Sequence, residues 1–166
     1  MITHIYKYLL RHHWLIDIIT LAILSRGLNL SVYLIIWTII GNTIDIGGVQ
    51  INSWPTLVGS VTLEPCFETI ICFALVFGIF DSLRHTDKRP QWVIFTSALL
   101  FAVAHSIHSL IYPIVLFLPG LIYAFSYYFF KRTQGVENAI IFVTMIHALD
   151  NLIALLPALY SMLIIN

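Results

Sequence analysis

Residues 139–164 read AIIFVTMIHALDNLIALLPALYSMLI, an apolar run that carries a histidine, an aspartate and an asparagine near its middle. The run exceeds the roughly 20 residues that a helix needs to cross a bilayer. On such a helix His147 and Asn151 stand four residues apart, so they share one face and lie about 6 Å apart along the axis. Polar groups at membrane depth are costly and are kept where they meet partners on neighbouring helices. The stretch therefore predicts both a membrane helix and a polar site inside a bundle.

Four more apolar stretches lie upstream: Trp14–Ile40, Leu63–Phe80, Trp92–Ile107 and Ile111–Phe130. The chain of 166 residues is 60% hydrophobic and 10% charged, with a mean hydropathy of +0.94. A soluble domain carries about 25% charged residues, so this composition does not supply a polar surface for a globule. The expectation is all-α: a polytopic membrane helical bundle of about five transmembrane helices, forming one integral-membrane domain over 1–166 with membrane lipid as its surroundings. Eight basic and eight acidic residues cancel. With no global field and no basic run interleaved with aromatics, nucleic acid is not an expected partner.

The breakers fall between the stretches: Gly47-Gly48 through Pro55, the polar run Asp81–Pro90, a short Ser106–Ser109 joint, and Lys131–Asn138 around Gly135. Lys7 and Arg11 precede the first stretch; Arg84, Lys88 and Arg89 follow the second; Lys131 and Arg132 follow the fourth. The other connections have no Lys or Arg, which predicts an inside N-terminus. The basic start before Trp14–Leu24 imitates a secretory signal, but no small-x-small cleavage site follows, so it reads as a retained span. Cys66 and Cys72 are six residues apart. On one helix that is roughly 600° of turn and 9 Å of rise, too far to bridge.

Several polar residues interrupt the apolar stretches. Asp17, Arg26 and Asn29 lie in the first, which is either one long helix with these groups facing inward or two pieces joined at Ser25–Leu28. Arg26 is also a candidate counter-ion for a site carboxylate. Pro119-Gly120 predicts a kink in the fourth stretch. Glu64 and Glu68 share a face at the entry to the second, where Pro65 suits a first turn. Glu64 sits at the boundary, where acidic residues favour a helix N-terminus. Glu68, a turn deeper, is placed to take a proton from water as a general base. His105 closes the third stretch with Phe101 one turn beneath it, and His108 reads as an interfacial side chain with a wet tip. His147 and Asn151 offer two neutral donors that could hold an oxyanion without burying a charge, or a hydrogen-bonded pair joining helices. Asp150, next to them, could orient the histidine or bond elsewhere.

The order Glu68-Thr69, Phe101-x-x-x-His105 and His147-x-x-x-Asn151, each on an apolar segment, resembles the CPBP family of intramembrane proteases. That family includes the type II CAAX prenyl endopeptidases and the bacteriocin-processing and self-immunity proteins. Phe117-Leu118-Pro119-Gly120-Leu121-Ile122-Tyr123 resembles the family's glycine-marked helix, and the similarity covers about residues 55–160. It implies an intramembrane endopeptidase acting on a peptide or protein substrate, prenylated or not, in the cytoplasmic membrane of a bacterium. Glu68 and His105 would activate water, and His147 and Asn151 would stabilise the oxyanion. The family's usual first motif is Glu-Glu-x-x-x-Arg; here Thr69 stands at the second acid and Phe73 at the arginine.

The resemblance therefore leaves a second reading, a catalytically inactive relative serving in bacteriocin self-immunity or as a membrane binding scaffold. No cofactor is expected. Zinc is the alternative, since Glu68, His105 and His147 form a two-histidine, one-carboxylate set, although the chain has no His-Glu-x-x-His. Haem held by His105 and His147 is a more distant reading.

Overall fold

Lipid offers the backbone no hydrogen-bond partners, so an apolar segment must satisfy its own amides and carbonyls, and here each apolar stretch is helical. The structure, a computed structural model, describes residues 14–40, 53–83, 86–107, 109 and 111–164. Lys7, Arg11, the Gly47-Gly48 pair, Arg84 and His108 lie outside the described residues. Five segments are long and apolar enough to cross a membrane: Trp14–Ile39, Trp54–Ser82, Pro90–Ile107, Tyr112–Gln134 and Val136–Tyr160. No strand occurs among the described residues. The chain is an all-α, multi-pass integral membrane protein.

The first span is one helix, α1 (Trp14–Ile40), which runs unbroken through Ser25–Leu28. Two of its polar residues turn inward: Asp17 and Ser25 are buried, whereas Ile23 and Leu24 are exposed. The second span is assembled from four pieces: α2 (Trp54–Val61), α3 (Leu63–Glu68), a π-helical segment (Thr69–Leu75) and α4 (Val76–Ser82). It begins at Trp54, not at Leu63 as the hydropathy implied. The Pro55 that reads as a breaker occupies the first turn of α2, where a missing amide hydrogen costs nothing, and Ser53 caps the helix by accepting from the Thr56 amide. A one-residue turn at Thr62 separates α2 from α3, and its amide bonds back to Val58 and Gly59.

The third span is α5 (Pro90–Ala104), ending in a single 3₁₀ turn, His105–Ile107. The fourth is α6 (Tyr112–Gln134), which carries Pro119 inside it without ending there. The fifth is α7 (Val136–Ile164), joined to α6 at Gly135, whose positive φ of 91° suits a residue without a side chain. Within a membrane-length window 61% of α6 is buried, against 17% of α1, so α6 is the central pillar and α1 faces lipid on most sides. Gly120 lets α6 approach α5: a Cβ there would stand 3.1 Å from the Ala98 carbonyl oxygen and 3.0 Å from Phe101. The core between the spans is aromatic, with Phe73, Phe77, Phe101, Tyr123, Tyr127 and Phe130 all nearly inaccessible. Outward-facing Phe67, Ile71, Leu99, Val103 and Ile141 are exposed apolar residues of the kind a bilayer covers.

Candidate active site

Glu68 is the last residue of α3, set where the α-helix opens into the π-helical segment. Single π turns inside α-helices often accompany functional sites, because the wide turn re-aims the neighbouring side chains. The backbone holds continuously: the Thr69 amide bonds to the Pro65 and Cys66 carbonyls. From there the Glu68 carboxylate meets two histidines. His105 Nε2 lies 3.2 Å from Oε1, and His147 Nε2 lies 3.4 Å from Oε2. Three helices that are remote in sequence thus bring one acid and two imidazoles to a single point. Asn151, a turn beyond His147, faces the same cavity and donates from Nδ2 to the Ser60 carbonyl at 2.8 Å, which fastens α7 to α2.

The two imidazoles are held differently. His105 Nδ1 is 2.8 Å from the Phe101 carbonyl oxygen. A carbonyl only accepts, so Nδ1 carries a hydrogen and the opposite nitrogen is presented to Glu68. His147 Nδ1, by contrast, is buried with no hydrogen-bond partner. Its ring is gripped by aromatic faces: Tyr123 stacks on it at 4.7 Å between centroids, and Phe101 meets it edge-on at 5.4 Å.

Arg26 is not the counter-ion of Glu68. Its guanidinium pairs with Asp150 and donates to the Asp150 carbonyl oxygen at 2.9 Å. Asp150 also accepts from the Ser25 and Tyr123 hydroxyls. It therefore bonds away from His147, and the polar residues of α1 meet α7. Thr69 and Phe73, at the two departures from the family's first motif, are both fully buried. Phe73 packs against the rings of Phe101 and Tyr123, filling with apolar contact the place where a charged pair would need solvation or partners.

A cavity of about 430 Å³ opens beside these groups, lined among others by Glu68, His105, His147, Asn151, Glu64 and Arg26. Pockets of this size hold a small ligand or a short piece of peptide. Glu68 and His105 are in direct contact, so an attacking water has to sit beside the pair and not between its members. Among the described residues, no group of three or more His, Cys, Asp or Glu side chains has the arrangement of a metal site.

A family model described as type II CAAX prenyl endopeptidase Rce1-like matches residues 50–153. The chain belongs to that family. The matched segment takes in α2 to α6 and α7 through Ile153, hence Glu68, His105, His147 and Asn151, and it leaves α1 outside. No curated protein and no solved structure matches the chain. Membership makes it a protein of the CAAX-type intramembrane protease kind.

Sequence reasoning did not single out Tyr123, Ser25 or Ser60 as site neighbours. A signal existed for two of them. Ser25 adjoins Arg26 in an otherwise apolar helix, and Tyr123 ends the glycine-marked stretch. Ser60 contributes only its backbone carbonyl, which no side-chain pattern reveals.

Proposed function

We propose that the chain is a membrane-embedded endopeptidase in which Glu68 and His105 activate a water while His147 and Asn151 receive the oxyanion. The observation that carries this reading is the placement of one carboxylate between two histidine Nε2 atoms, 3.2 and 3.4 Å away, on the wall of a cavity. A water beside Glu68 gives up a proton to the Glu68–His105 pair, and its oxygen adds to the scissile carbonyl carbon. The resulting oxyanion accepts a hydrogen bond from His147 Nε2, whose contact with Glu68 is long and easily exchanged. It accepts a second from the Asn151 amide hydrogen that Ser60 does not use. Collapse breaks the C–N bond, and the proton held by the pair passes to the leaving amine.

The substrate is a peptide bond of a peptide or protein lying near the membrane surface. A lipid chain attached to it would lie along the apolar exterior of the bundle, where large hydrophobic side chains are exposed. No resident metal is required, since each role is filled by a side chain. Prolonged treatment with a chelator should leave cleavage intact; activity lost to the chelator and restored by zinc would establish a metallopeptidase instead.

A non-catalytic binding role is the second reading, favoured by one feature: Thr69 and Phe73 leave the site with a single acid where the family's first motif has two. One experiment separates the readings. Glu68→Gln keeps size and hydrogen bonding but cannot accept a proton from water, so cleavage should fall about 10²–10⁴-fold with the fold retained. Glu64→Gln, at an exposed position, should change it little. Cleavage at the parental rate by Glu68→Gln would end the mechanism. Absence of cleavage by parent and variant alike, across peptide substrates, would leave the binding role.

A further inference from the structure

The aromatic ring stacked on His147 leads to the first span. His147 lacks the usual device for fixing an imidazole, a hydrogen bond at the far ring nitrogen, since its Nδ1 is buried without a partner. Beside the long Nε2 contact with Glu68, what holds the plane of the ring is Tyr123, stacked at 4.7 Å with 27° between planes, and Phe101 at 78° on another side. Tyr123 is itself fixed at both ends. Its ring meets Phe73 and Phe101 edge-on, and its hydroxyl donates to Asp150 Oδ2. Ser25 Oγ also bonds to Asp150 Oδ2 and lies 3.1 Å from the Tyr123 hydroxyl, while Arg26 holds the other oxygen of Asp150. Asp150 is one turn from His147 on the same face of α7, so this cluster fixes both the ring and the helix that carries it.

We propose that Tyr123 is a positioning residue for His147, tethered by Asp150 to Ser25 and Arg26. The first span, outside the family-matched segment, is thereby a working part of the site. The effect on turnover rests on the peptidase reading; the effect on the ring of His147 does not.

The test uses the full chain in lipid bilayers with ¹⁵N-labelled histidine, the His147 signals being assigned from their loss in His147→Gln. Tyr123→Phe keeps the stacked ring and cuts the tether; Tyr123→Leu removes both. The ring-nitrogen signals of His147 should shift or broaden in each, more in Tyr123→Leu. Those of His105 should stay in place, because the Phe101 carbonyl anchors that ring. A merely structural role would disturb both histidines alike. In a cleavage assay kcat should fall about 10-fold for Tyr123→Phe and about 100-fold for Tyr123→Leu with KM within about twofold, as expected when a reacting group is misplaced by about an ångström.

Unchanged His147 signals in Tyr123→Leu would overturn the proposal, as would equal movement of both histidines. If Tyr123→Leu does not fold, the Tyr123→Phe spectrum decides on the same criterion. If no form cleaves peptide, parent included, the peptidase reading falls while the spectra still answer for His147.

Discussion

Two levels of the bundle use the same chemistry to opposite effect. At one, near mid-span, Arg26 pairs with Asp150, whose side chain is only 2% exposed, beside a cavity. At the other, Arg132 pairs with Asp87 where both are open to solvent, at 49% and 75%, and Lys131 pairs with Asp81 while lying 5.6 Å over the Phe77 ring. Exposed pairs exchange water for one another at almost no gain and are worth about 0–1 kcal/mol. The inner pair has given up its hydration on the Asp150 side, while Arg26 stays 26% exposed at the cavity. Its net worth is small too, but removing one partner strands the other charge, which costs about 3–5 kcal/mol. The outer ion pairs trim the loops; the inner one makes three helices depend on each other.

Asp150→Ala should break the comparison most sharply. It leaves Arg26 uncompensated and removes the acceptor of two hydroxyls, so unfolding in mild detergent should show a loss of about 3–5 kcal/mol. Replacing Arg26 and Asp150 together by leucine should recover most of it. A single variant as stable as the parent would mean that the inner pair is no more consequential than the outer ones.

Two glycines extend the contrast to packing. Gly120→Ala pushes a methyl to within 3.0 Å of Phe101 beneath both histidines, and about 1–3 kcal/mol should be lost. Gly78, in α4 towards the other end, has nothing within 4 Å of its would-be Cβ. There alanine should add about 0.4–1 kcal/mol by restricting the unfolded chain. Thermal melts of the two variants side by side suffice, and equal losses would refute the assignment of Gly120 to close helix approach. Smallest of all, Arg132→Ala should cost at most about 1 kcal/mol, an effect that fades as salt is raised.

The outline of this fold is written in hydropathy, because a membrane span announces itself by length and by where polar residues are missing. For the same reason Glu68, His105 and His147 stand out: each is an expensive group in an apolar run, and such groups must converge on something. What the chain does not spell out is how each helix is rotated against the next. Arg26 reads from the sequence as a candidate counter-ion for the active-site carboxylate, and only the packing of α1 against α7 gives it to Asp150 instead. The early start of the second span was misread for a local reason. Pro55 marks a turn in most contexts, but after the Ser53 cap it opens a helix. Tyr123 was legible as part of a motif and illegible as a support for His147, since stacking across α6 and α7 belongs to tertiary structure alone.

The π-helical segment after Glu68 works as an indexing step in the second span. A π turn takes up more residues than an α turn, and each residue of an α-helix stands for about 100° of rotation. Residues 69–75 therefore let Glu68 point at the two histidines while Phe73 and Phe77, further along, point into the aromatic core. A helical wheel drawn through the whole span would put one of these sets on the wrong side. Shortening the segment by one residue would give a regular helix and swing the carboxylate about 100° away from His105 and His147, with every side chain of the site still present and the site itself dismantled.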